Sequence, residues 1–193
     1  MSRFVIVVLA NIACAIAALP VATADTAWEE YLKYPSPENA ERIDVLRYSD
    51  GESDSQRAED DVELLARQVL AGDEQAVRLA FRLRKQADGA LGETLDITLG
   101  QLIRIDATLF LVALGDNIGD LHRLDSLVGN LGGAYVDRFQ AKTYEVSRRI
   151  EALESVADPA LAAVREACVH ELREHLKHLE EPLKELEENA REE

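Results

Sequence analysis

Cations and cysteine are both scarce in this chain, and each shortage closes off a class of protein. Lysine and arginine together number 21 against 37 aspartates and glutamates, a formal net charge of −16. A surface with that balance repels nucleic acid, whose binding rests on neutralising phosphates with Lys and Arg. It is equally unsuited to anionic membrane surfaces. It suits solubility, cations or a basic protein partner. Only two cysteines occur, Cys14 and Cys168, too few for the disulfide framework of a small secreted scaffold. The chain contains no G-x-S-x-G, no phosphate-binding P-loop and no S-x-x-K, so no familiar nucleophile or cofactor cradle is in view and no cofactor is expected.

The first 24 residues read as an export signal. Arg3 and the amino terminus supply positive charge, Phe4 to Leu19 is apolar, Pro20 interrupts it, and Ala22-Thr23-Ala24 sets small residues before Asp25. That order predicts a cleavable leader over 1–24. A membrane span takes about 20 apolar residues, and this run is shorter and carries Asn11. Lipidation at Cys14 is the competing expectation, against which Asn11 occupies the place where a lipobox has a residue such as leucine. Past the leader, Cys168 is the lone thiol, predicted to be buried and inert on the apolar stripe of a helix. Arginine in excess of lysine, with abundant alanine, points to a GC-rich bacterial source and hence to the periplasm.

From residue 25 onward the pattern is helical, with no sustained β alternation. Trp28, Tyr31 and Leu32 share one side of a short first helix. Ser36 and Pro37 suit the cap and first position of a second, expected to reach Leu46. An acidic loop is expected over Ser49 to Glu59. Further helices are predicted over Asp60 to Ala71, Glu74 to Ala87, Ala90 to Arg104, Ala107 to Leu114, Asp120 to Leu131 and Asp137 to Val156, with a last one opened by Asp158-Pro159. Ala107 to Leu114 (ATLFLVAL) is apolar on nearly all sides and is expected to be the central core element. Gly92 and Gly100 each cost a helix about 1 kcal/mol relative to alanine, so close packing is expected there. Leu172, Leu176, Leu179, Leu183 and Leu186 alternate like a coiled-coil seam, which Pro182 is expected to kink or break near Glu181. The expected fold is therefore all-α: an irregular helical bundle or a short HEAT-like α-solenoid of eight or nine helices, one domain over 25–181 and a charged tail over 182–193.

Four clusters bear on function. Asp50, Glu52, Asp54 and Asp61 fall at positions 1, 3, 5 and 12 of an EF-hand-like count, a pattern of hard oxygen ligands for calcium. Ser55 stands where such a loop has glycine, and Asp61 where it has glutamate, so an acidic solvated linker is the competing reading. His170-Glu-Leu-Arg-Glu-His175 is not a zinc-protease helix, because its histidines are five apart rather than four. Glu171/His175 and Glu174/His178 do share a helix face. Arg78, Arg82 and Lys85, with Arg84 nearby, form a basic stripe that either grips a carboxylate-bearing partner or neutralises neighbouring acidic helices. Asp88, Glu93, Asp96 and His122 are the acids and base that a catalytic cleft would need to gather. The resulting expectation is an exported, non-enzymatic helical protein-binding module: an inhibitor, an immunity-type protein or an adaptor. The alternatives are a periplasmic enzyme with a carboxylate cleft and a calcium-binding helical protein.

Overall fold

The structure, a computed structural model, describes residues 24–43, 52–87, 89–117, 119, 123–136 and 138–192, with side chains in 27–43, 59–87, 89–117, 119, 123–136 and 138–181. The expected leader through residue 23 lies outside them. Among the described residues there are nine α-helices and no strand: α1 Ala24–Lys33, α2 Pro37–Glu41, α3 Glu52–Leu70, α4 Glu74–Arg84, α5 Gly89–Ile105, α6 Ala107–Gly115, α7 Leu124–Gly129, α8 Phe139–Glu154 and α9 Ala162–Glu192. None of them is long and apolar enough to cross a membrane.

Helix boundaries follow from capping chemistry. The Ser36 hydroxyl accepts from the Asn39 N–H, with Pro37 at the first position of α2. The carboxylates of Asp73, Asp106 and Asp158 do the same for Ala76, Leu109 and Ala160. Each such cap stabilises a helix by about 1 kcal/mol. Gly72, at φ +80°, ends α3. The N–H of Gly72 bonds to the Val69 carbonyl and that of Asp73 to the Gln68 carbonyl, the two-bond C-terminal closure that a left-handed residue permits. Asp73 thus closes one helix and caps the next, folding α3 and α4 into a tight hairpin.

The central element is α5. It contacts α3, α4, α6, α7 and α8, and Gly92, Leu95, Asp96, Thr98, Leu99, Gly100, Leu102 and Ile103 are buried around most of its circumference. Full burial of each leucine or isoleucine contributes about 1.5–3 kcal/mol. This corrects the expectation that α6 occupies the middle. α6 does bury Phe110, Leu111, Ala113 and Leu114, with the Phe110 ring 5.8 Å from that of Phe81 on α4, but it leaves Val112 38% exposed. On one side of α5 lie α3 and α4, with α1 and α2 attached through α4. On the other, α7 and α8 pack on α9. Because α5 meets α8, and α6 meets α9, contacts run well beyond neighbours in sequence. A solenoid restricts contacts to adjacent repeats, so the architecture is a bundle.

Other boundaries differ from expectation. α2 stops at Glu41, because Arg82 from α4 donates to the carbonyls of Ala40 and Ile43 and ends the helix there. α7 is one turn and a half instead of three, since Arg123 sits in the left-handed region at φ 75° immediately before it. The expected acidic loop over 49–59 is helical from Glu52. α9 runs through Pro182 without a break; a proline deletes one backbone hydrogen bond, and those of flanking residues carry the helix onward.

One polar insertion locks the two sides together. Arg149 of α8 is 1% exposed. Its Nη1 donates to the Val128 carbonyl at 2.6 Å and the Asn130 carbonyl at 3.1 Å, at the end of α7. Its Nε lies 3.6 Å from Glu145, which in turn pairs with Arg104 of α5 at 2.6 Å. Burial draws the guanidinium down to about 10 from its ordinary value, still far above neutral pH, so the group stays charged. Gly100 makes room for it: a Cβ there would stand 2.6 Å from Arg149 Nη1 and 2.9 Å from the Leu127 carbonyl oxygen. Gly100→Ala is therefore expected to destabilise the protein despite alanine's better helix propensity. A net loss of about 1–3 kcal/mol, or roughly 2–12 °C in melting temperature, should appear in thermal unfolding followed by circular dichroism; an unchanged or higher melting point contradicts the packing account.

Candidate functional site

Two concave sites flank α7. The larger is a groove of about 530 Å³ between α7, the first turn of α8 and the middle of α9. Leu131, Gly132 and Leu179 give it apolar surface, and Asp125, Lys142, Glu171, Glu174, His175 and His178 give it charge. His175 is positioned by helical spacing: it lies three residues after Leu172 and four before Leu179, on the seam by which α9 packs on its neighbours. A Cβ added to Gly129 would stand 3.6 Å from the His175 Cγ and Nδ1, so the ring lies directly against the end of α7. Burial of the ring, assisted by Lys142, His178 and Arg149 and opposed by Asp125, holds its imidazole below the ordinary histidine value. The shared face of Glu171 and His175 did not reveal this burial; the spacing of His175 from the two leucines was the signal for it. His170 and His178 are indeed exposed.

The second site is a cleft of about 460 Å³ that brings Arg84, Glu93, Asp96, Arg123, Ser126 and Asn130 together. Glu93 and Asp96, two of the expected acid–base set, do share it; Asp88 and His122 lie outside the described residues. Asp96 is 5% exposed and its carboxylate is fully occupied. Arg84 grips it through two bonds, Nε at 2.6 Å and Nη2 at 3.1 Å, and the Ser126 hydroxyl donates to it at 3.3 Å. A guanidinium fork engages both carboxylate oxygens at once and fixes their plane. The arrangement ties α4, α5 and α7 together.

The basic stripe is similarly committed. Arg78 pairs with Glu74 at 2.8 Å and Asp116 at 3.1 Å. Arg82 is directed inward to the carbonyls after α2. Lys85 is exposed, one turn beyond. Arg78 thus meets an acid of its own helix and one just after α6, Arg82 meets backbone carbonyls, and the nearby Arg84 meets Asp96 of α5. Of the calcium set, Asp50 and the side chains of Glu52 and Asp54 lie outside the described residues, and Asp61 is 7% exposed on α3. A twelve-residue calcium loop needs irregular backbone to converge its ligands, and helix from Glu52 onward does not supply it. Among the described residues, no three His, Cys, Asp or Glu side chains gather as a metal ion would require.

Cys168 of α9 is fully buried, and burial pushes its thiol up to about 12. Thiolate is the reactive form. In the chain from Asp25 onward, a disulfide reagent at pH 8 should leave Cys168 untouched until urea unfolds the protein; rapid native labelling contradicts its burial. For the Arg84–Asp96 pair, Arg84→Met strands a buried carboxylate and should cost about 3–5 kcal/mol in urea unfolding. Adding Asp96→Leu should recover most of that loss, and a double variant no better than Arg84→Met rules out the stranded charge as the cause. No protein-family model, curated protein or solved structure matches the chain.

Proposed function

We propose that the chain is an exported, non-enzymatic helical module that binds a basic protein partner, as an inhibitor, an immunity-type protein or an adaptor, in the periplasm or outside the cell. The observation that carries this reading is the disposition of charge. Cations of the described residues are largely consumed within the molecule: Arg42 by Glu30, Arg67 by Glu63, Arg78 by Glu74 and Asp116, Arg84 by Asp96, Arg104 by Glu145, Arg173 by Glu154. Carboxylates in excess are left to define the outside, where Glu29, Glu41, Glu59, Glu93, Asp125 and Glu166 stand exposed. An acidic field of this kind speeds encounter with a basic partner and discriminates against acidic ones. The leader pattern of the first 24 residues supports export. Against the enzymatic alternative stands the Arg84 fork, which occupies Asp96, the buried one of the two expected cleft carboxylates among the described residues.

The test is affinity capture of the tagged chain from its own periplasmic extract. A basic protein should be retained at low ionic strength and released as salt shortens the Debye length below about 8 Å, and the recovered chain should begin at Asp25. Capture of nothing at low salt, or of a partner indifferent to salt, overturns electrostatic recognition. A chain still beginning at Met1 overturns the cleaved leader.

A further inference from the structure

α7 has only six residues, Leu124–Gly129. A helix that short has no stability of its own in water, so it stays formed because of what it packs against: α5 on one side and α9 on the other. Four contacts hold it. Leu127 and Val128 are fully buried, the Ser126 hydroxyl donates to Asp96, Arg149 binds the carbonyls at its end, and the His175 ring covers Gly129. Of these only His175 changes charge between pH 5 and 8.

We propose that His175 is an acid-sensitive latch between α7 and α9, whose protonation frees α7 and opens the groove beside it.

The surroundings decide the sign. From α8, Lys142 and Arg149 face the ring with fixed positive charge, and His178 adds a second titrating group from α9. From α7, Asp125 opposes them at the exposed rim. Glu171 and Glu174, also on α9, line the groove, with Glu174 taken by Lys177. A proton on His175 therefore adds charge to a half-buried ring already flanked by two cations. Because the folded ring binds protons less readily than an unfolded one, its contribution to holding α7 is complete above the ordinary value of 6.5. That contribution is lost as pH falls through the lower, folded value. The loss is local, since α1 to α4 take no part in the contact.

Two measurements on the chain from Asp25 onward test the latch. Proton NMR of the histidine rings should give His175 a midpoint below the ordinary value of 6.5, and Lys142→Gln should move that midpoint up toward it. Hydrogen exchange, corrected for its intrinsic pH dependence, should show the amides of Leu127, Val128 and Gly129 losing protection several-fold between about pH 7 and 5, while Leu99 and Leu102 of α5 keep theirs. In His175→Gln the acid-dependent part should vanish. A His175 midpoint at or above 6.5 overturns the proposal. So does an equal acid response in His175→Gln, or a loss of protection spread evenly through α5. Should His175→Gln fold poorly, the ring titrations of the unaltered chain and of Lys142→Gln decide alone.

Discussion

A carbonyl at the C-terminal end of a helix has no partner within that helix, and when the end is buried it must find a donor elsewhere or cost about 1–3 kcal/mol. This bundle has several such ends. It meets the requirement with arginine. Arg82 serves the carbonyls after α2, Arg149 those at the end of α7, and Arg165 that of Val156 after α8. In each case the donor comes from a different helix, so satisfying one end also fixes the relative position of two elements. Sixteen arginines against five lysines take on a structural sense in this light. A guanidinium offers several donors in a rigid plane and is weakly hydrated, whereas an ammonium is a strongly hydrated point.

Placing a guanidinium in the interior has consequences for everything around it. Arg149 is permitted because Gly100 lacks a side chain, and Gly100 lies on α5, the helix on which α3, α4, α6, α7 and α8 converge. The same helix contributes Asp96 to the second buried ionic contact and Arg104 to the network that reaches Arg149 through Glu145. Buried charges of this kind stabilise little on balance, because desolvation offsets most of the attraction, but they penalise every arrangement that leaves one of them unpaired. Leucine and alanine stripes would tolerate sliding of one helix along another. The ionic contacts select one register.

Much of this was written in the chain. Leu95, Leu99 and Leu102, or Leu79 and Leu83, recur at helical spacing and lie in the core where that spacing puts them. Asp73, Ser36 and Asp158-Pro159 are caps because short acceptors before an apolar periodic run have no better use. Gly100 was legible as a place of close approach, yet not the identity of what approaches, since Arg149 is distant in sequence. Arg149 itself interrupts the stripe Val146, Ile150, Leu153, and His175 that of Leu172 and Leu179. In both, periodicity was the better guide than polarity. The shortened α2 and α7 were not legible, because their ends are set by Arg82 and by the left-handed Arg123, that is, by tertiary contact and strain and not by local propensity. Spacing likewise reveals that Arg78, Arg82 and Lys85 share a face, and carries nothing about Asp116 or the Ala40 and Ile43 carbonyls that other segments bring to it.

The fit between Gly100 and Arg149 also constrains how this protein can vary. Any side chain at position 100 displaces the guanidinium, and any shorter residue at 149 leaves a void together with orphaned carbonyls at 128 and 130. Neither substitution is tolerable first, so the two positions are expected to change jointly or stay fixed through long divergence. A glycine inside one helix coupled to an arginine inside an apolar stripe farther along is thus a mark by which distant descendants of the same ancestor can be recognised after their leucines, being interchangeable with isoleucine and methionine, have lost all resemblance.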